Sequence, residues 1–164
     1  LGGQGSAYIA EQLAAFKCGP LPPDQQAAAK CAEVRNNAVM SAKAANLRPQ
    51  DMADLAAYFA SQKFTPGVAS KDAIAVAEPL YRYGDASREL PACAACHGPT
   101  GAGNVAAKFP HIGGQNSNYT ANQLRNYQTG ARGTSGPGVM MASVAQKLKP
   151  EEIEALAAYI SGLQ

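Results

Sequence analysis

The chain contains no tryptophan, and phenylalanine and tyrosine together make up only 7% of its 164 residues. Alanine fills much of the remainder, and alanine-rich segments pack closely while burying little area per residue. Each half of the chain is therefore short of core, and a large flat cofactor buried in each would supply the missing apolar mass. Long apolar runs are absent as well, and none reaches the length that spans a bilayer. Nowhere do apolar and polar residues alternate strictly, as a half-buried strand requires, so the class is all-α. Fourteen Lys and Arg against twelve Asp and Glu leave a net charge of +2. No stretch concentrates the basic residues as a nucleic-acid footprint does, which excludes nucleic acid as a partner. The near balance also offers no strong electrostatic steering. The first residue is Leu1, with no signal-like segment ahead of it, which reads as a processed form or a fragment.

What the chain does have is an internal duplication. Leu1-Gly2-Gly3-Gln4 recurs as Ile112-Gly113-Gly114-Gln115, and the same shift of 111 residues carries Tyr8 onto Tyr119, Gln12 onto Gln123, Phe16 onto Tyr127 and Gly19 onto Gly130. Further on, Met40 falls on Met141, Leu47 on Leu148, Pro49 on Pro150 and Tyr58 on Tyr159. The shift drops from 111 to 101 residues between these blocks, so the first copy is ten residues longer between Gly19 and Met40. Cys31 lies in that enlarged loop and Cys18 directly precedes it. A bridge between them would pin the loop, with a stabilisation of roughly 3 kcal/mol for so short a closed ring.

Both copies read as helical. Pro150 suits a first helical position, with Glu151 and Glu152 near the positive end of the dipole. Ile153, Leu156, Ala157 and Ile160 then share one face, and Met52, Leu55, Ala56 and Phe59 repeat that stripe. Tyr119 to Tyr127 reads as an earlier helix, with Tyr8 to Phe16 as its counterpart. We expect a first lobe over 1–63, a linker with turn chemistry over 64–71 and a second lobe over 72–164. A short helix should follow the linker and end near Tyr83-Gly84, with Pro79 beginning or kinking it.

The second copy holds Cys93-Ala94-Ala95-Cys96-His97, the attachment signature of a c-type haem. Two thiols three positions apart can add to both vinyl groups on one porphyrin edge, which holds the adjacent His97 beneath the iron as its proximal ligand. Zinc is the rival, but a structural site needs four ligands, and only His111, Cys18 and Cys31 remain to complete it. The second axial ligand must come from Met140, Met141 or His111. The repeat selects Met141, because it alone falls on a methionine of the first copy. Met52 and Met140 read as core filler, and His111 as an exposed loop histidine. Histidine and methionine together fill both axial positions, favour ferrous iron and raise the potential. That chemistry argues for a carrier of single electrons and against a catalyst. Around the ring, Pro110 is placed to accept from the histidine N–H, and Gln115, Tyr119 and Arg132 are candidates for the propionates. Gly98, Gly101 and Gly103 would let backbone pass close to the ring.

These residues resemble the di-haem cytochrome c4 family along the whole chain. The likeness rests on Pro91-Ala-Cys-Ala-Ala-Cys-His-Gly98, Phe109-Pro110-His-Ile-Gly-Gly-Gln115, Gly130-Ala-Arg132, Met140-Met141 and Leu148-Lys-Pro-Glu-Glu-Ile153. It implies two tandem cytochrome c lobes with His and Met ligands, a bacterial periplasmic home, often with peripheral membrane association, and traffic between a quinol-oxidising complex and a terminal oxidase. The departure is in the first lobe, where Leu1 aligns beyond the place for a C-x-x-C-H. One haem c is expected from the chain as written, and two if such a motif lies upstream, in which case Met40 would be an axial ligand. The enlarged loop between Cys18 and Cys31 also departs from the family pattern. Two other functions stay open: the cytochrome subunit of a periplasmic dehydrogenase, with that loop as docking element, and an enzyme acting at an open haem.

Overall fold

The structure, a computed structural model, describes residues 1–164 and is built from nine α-helices. In the first half, α1 (Ser6–Cys18) packs on α3 (Ala38–Ala44) and α4 (Pro49–Ser61). Between α1 and α3 the enlarged loop carries a short helix, α2 (Pro23–Ala28), with no buried residue. In the second half, α5 (Lys71–Tyr83) packs on α9 (Pro150–Gly162) and on the one-turn α6 (Cys93–His97). There α7 (Ser117–Gln128) lies against both α9 and α8 (Gly138–Ala145). The only β pairing consists of isolated bridges, Asp85 with Leu90 and Asn104 with Phe109.

The duplication reappears in helix starts. Helices α4 and α9 both open with proline, whose missing N–H costs nothing at the first position. In each the acid two residues on accepts the preceding backbone N–H, Asp51 from Arg48 at 2.8 Å and Glu152 from Lys149 at 2.9 Å. Their burial differs. Helix α9, flanked by α5 and α7, buries Ile153, Leu156, Ala157 and Ile160, which join Ala77, Tyr81, Leu90, Ala121, Leu148 and Tyr159 in the main core. Helix α4 packs only on α1 and buries only Met52 and Ala56 of its stripe. Leu55 and Phe59 stay half-exposed. Pro79 lies inside α5 rather than at its start, so the Ala75 carbonyl lacks its in-helix donor.

The two halves meet through the repeated glycine pairs. The Phe64 ring is wedged between Gly3 and Gly114, both at positive φ. A Cβ on Gly114 would stand 2.3 Å from that ring, so only glycine fits there. Gln4 donates to the His111 carbonyl and accepts from the His111 N–H, each at 2.8 Å. The His111 ring stacks edge-on against Phe64 at 4.8 Å, and its Nδ1 lies 3.1 Å from the Gly3 carbonyl. His111 is thus half-buried in the junction and not the exposed loop residue expected, because the Gly3–Gln4 turn folds over it. Lys108 pairs with Glu11 across the same seam.

Candidate haem site

Helix α6 places Cys93, Cys96 and His97 on a single turn that ends at Gly98, where φ is +77°. Cys93 is half-buried and Cys96 exposed, and neither takes part in a disulfide. Burial pushes the Cys93 thiol up to about 11. His97 is buried, which holds its pKa below the ordinary value and keeps the imidazole neutral. Its Nδ1 stands 3.0 Å from the Pro110 carbonyl. A carbonyl only accepts, so Nδ1 carries the proton and Nε2 keeps a free lone pair for a metal.

The segment after the motif fixes that carbonyl. Gly103 donates to the His97 carbonyl at 2.8 Å, and a Cβ on it would lie 2.5 Å from the Phe109 carbonyl. Gly101 packs equally close to Gly113. Gly101 and Gly103 thus let the chain approach itself closely, folding 98–103 onto 109–113.

Met141 is half-buried and lines a cleft of about 590 Å³, open to solvent, together with Pro110, Tyr127, Arg132, Tyr8 and Gln12. Met140 is 53% exposed, so it is not core filler as the sequence suggested, whereas Met52 is buried. The first half repeats the pair, with Met40 half-buried on α3 and Val39 exposed.

At the back of the cleft, Arg132 is 7% exposed. Its guanidinium lies over the Tyr127 ring at 4.6 Å and donates to Gln123 (2.9 Å), Tyr8 (2.9 Å) and Gln12 (3.2 Å). Arg35, 8% exposed, mirrors it from the other half: it lies over Phe16 at 4.2 Å and donates to Gln12 (2.6 Å) and Gln123 (3.3 Å). No carboxylate lies within ion-pairing distance of either guanidinium, and Arg132 Nε is buried without any partner. Buried cations call for a counter-anion, and the carboxylates of a haem are of the right sign. The residues present therefore fit the group. Of the other propionate candidates, Tyr119 is exposed, and Gln115 lies at the Phe64–His111 seam, accepting from the Asn116 N–H. Neither joins Arg132; Tyr8, the repeat counterpart of Tyr119, does. Arg35, Gln12 and Gln123 were not singled out from the sequence. The signal was the glutamine pair at the 111-residue shift.

Cys18 and Cys31 are joined as a disulfide with their Cα atoms 6.1 Å apart. No three His, Cys, Asp or Glu side chains converge to hold a metal ion, so the zinc alternative has no ligand set.

A helical fold around this C-x-x-C-H turn, with a buried neutral histidine held by the Pro110 carbonyl, defines a c-type cytochrome, and residues 85–164 match the sequence profile of the family described as Cytochrome c. Cytochrome c4 of Azotobacter vinelandii is 39% identical over 163 residues, covering 99% of this chain and 75% of the relative. The crystal structure of reduced recombinant cytochrome c4 from Pseudomonas stutzeri matches with a TM-score of 0.88 at 40% identity, covering 99% of this chain and 83% of that one. A Thiomonas intermedia protein described as a thiosulfate dehydrogenase electron acceptor is 32% identical over 164 residues, 98% of this chain and 68% of its own length. The chain belongs to the cytochrome c4 family, a family of electron carriers, and it carries covalently bound haem c.

Proposed function

We propose that residues 72–164 form a cytochrome lobe whose haem is bound through Cys93 and Cys96, with His97 Nε2 and Met141 as axial ligands. The observation that carries this reading is the His97–Pro110 hydrogen bond, which turns the free imidazole nitrogen away from the Pro110 carbonyl. When bound, the haem supplies a one-electron couple. The protein's own part is to hold His97 in one tautomer, present Met141 rather than the exposed Met140, and oppose the propionates with Arg132 and Arg35. With both axial positions filled, no place is left for oxygen or a substrate, so the chain acts as a carrier and not an enzyme.

Residues 1–63 are read as a first lobe joined through the 64–71 segment. Met40 takes in it the place of Met141 and would be the axial ligand of a first haem if a C-x-x-C-H lies upstream, since residues 1–63 do not contain one. The disulfide suits an oxidising compartment, in keeping with a bacterial periplasmic home. No helix is long and apolar enough to cross a membrane; peripheral membrane association is what the family resemblance implies. Electrons would pass from a quinol–cytochrome c reductase to a terminal oxidase. A second reading, acceptor for a periplasmic dehydrogenase, is favoured by the Thiomonas relative. Reduction of the purified protein by a partner dehydrogenase, with no quinol-oxidising complex present, would select it.

Axial-ligand identity spans about 0.8 V among haem proteins. Met141→Ala should therefore lower the reduction potential and admit cyanide rapidly, while Met140→Ala leaves both unchanged. A potentiometric titration in which Met141→Ala matches the wild type would refute the ligand assignment.

A further inference from the structure

The enlarged loop does not project into solvent throughout. Its base is anchored on α1, where the Arg35 N–H donates to the Ala15 carbonyl at 3.1 Å and the Cys18–Cys31 bond closes the ring. Just beyond Cys31, the chain crosses to the second half and meets the turn that leads into α8. The Val34 N–H donates to Ser135 Oγ at 3.0 Å. Gly136, at φ +57°, lies so close to the Ala32 carbonyl that a Cβ would stand 2.4 Å from it. The Glu33 carboxylate lies against Gly138 and also accepts from Gln12 at 2.8 Å, which ties this contact to the junction glutamine.

What the loop touches is the start of the helix that bears Met141. In the first half, the equivalent helix α3 caps itself, with Asn37 Oδ1 accepting from the Met40 N–H at 2.9 Å. Helix α8 follows Pro137 and has no side-chain cap. A helix start without a cap frays more easily, and Met141 lies in the first turn of α8. The missing local restraint is replaced by one from the other half of the chain.

We propose that the disulfide-closed segment Cys18–Arg35 is a positioning element for Met141, acting on the second haem site through the Val34–Ser135 hydrogen bond and the contacts at Gly136 and Gly138. The Cys18–Cys31 bond keeps residues 32–34 seated on the α8 start, so closure of this ring sets how firmly methionine stays on the iron. The proposal rests on the assignment of Met141 as axial ligand.

The test is the rate at which cyanide replaces the methionine in the ferric holoprotein, because that rate follows the opening of the methionine-bearing turn. Ser135→Ala should raise the rate at the second haem about fivefold, the factor expected for one lost hydrogen bond. Cys18→Ser/Cys31→Ser should raise it about tenfold through loss of the whole contact. Ser135→Thr, which keeps the hydroxyl, should restore the wild-type rate. Backbone hydrogen exchange over 135–141 should quicken in the first two variants. If Met141→Ala binds cyanide immediately while Ser135→Ala and the cysteine variant keep wild-type kinetics and exchange, the positioning role is overturned and the ligand assignment stands. If Met141→Ala itself keeps wild-type kinetics, the ligand assignment falls and takes the inference with it.

Discussion

Arg132 concentrates the electrostatics of the site in one side chain. It is buried, spread over Tyr127, and bonded only to neutral acceptors, and its Nε has no partner in the protein. A fixed positive charge near the haem disfavours the more positive ferric state. Arg132→Met, which keeps length and removes charge, should therefore lower the reduction potential by an energy on the order of 1 kcal/mol. Potentiometric titration of the two proteins side by side checks this, and equal potentials would remove Arg132 from the haem environment. At this scale the sequence was most informative where chemistry is local. Cys93, Cys96 and His97 are adjacent, and their spacing has a covalent reason. Arg35 was not singled out, and Gln12 and Gln123 were read only as a repeat match, because their part in the site arises only when the halves face each other. Tyr119 was singled out for its polarity, whereas its counterpart Tyr8 is the one whose hydroxyl reaches Arg132.

Helix α9 shows how one element is held at its start. Arg88, on the short turn before α6, donates to Asp85 at 2.7 Å and to both Glu152 oxygens at 2.8 and 3.0 Å. It also donates to the Lys147 carbonyl at 3.1 Å. Hydrogen bonds from Ser87 and Arg88 hold the Asp85 carboxyl at about 2. Burial pulls Glu152 upward, but Arg88 and the Lys149 N–H outweigh it, and its pKa also falls below the ordinary value. Both groups are thus depressed in the folded chain. Their stabilisation is complete above the unfolded carboxylate range near pH 4 and fades as the pH falls toward about 2 for Asp85. Arg88→Ala should lower the melting temperature at pH 7, and the gap from wild type should shrink as melts are repeated down to pH 2. A gap that stays constant would show that the pairing contributes nothing to stability. The helices themselves were legible from periodicity and proline placement, since both are written within a few residues. The unequal burial of α4 and α9 was not, because the two stripes look alike and only the neighbours differ: α9 gains α5, which has no counterpart in residues 1–63. The missing cap on α8 is equally invisible until the enlarged loop is seen to reach it.

The whole molecule is two related halves, joined partly through repeated residues such as Gly3 and Gly114 or Gln12 and Gln123 and partly through contacts found once. The duplication could be read from two blocks of matching residues, but not the way the halves dock. Phe64 between two glycines, Gln4 on the His111 backbone and the loop contact at Ser135 all join residues distant in the chain, and no periodicity encodes them. This arrangement serves a carrier. The proposed iron ligands lie on α6 and α8, and buried arginines from both halves, Arg132 and Arg35, meet at the junction beside the cleft. The central claim is a haem with both axial positions filled by His97 and Met141, and carbon monoxide added to the fully reduced protein tests it most directly. An unchanged visible spectrum is the predicted result, because methionine keeps the sixth position closed; a carbon monoxide-bound spectrum would contradict it and make the haem a site of chemistry rather than of electron passage.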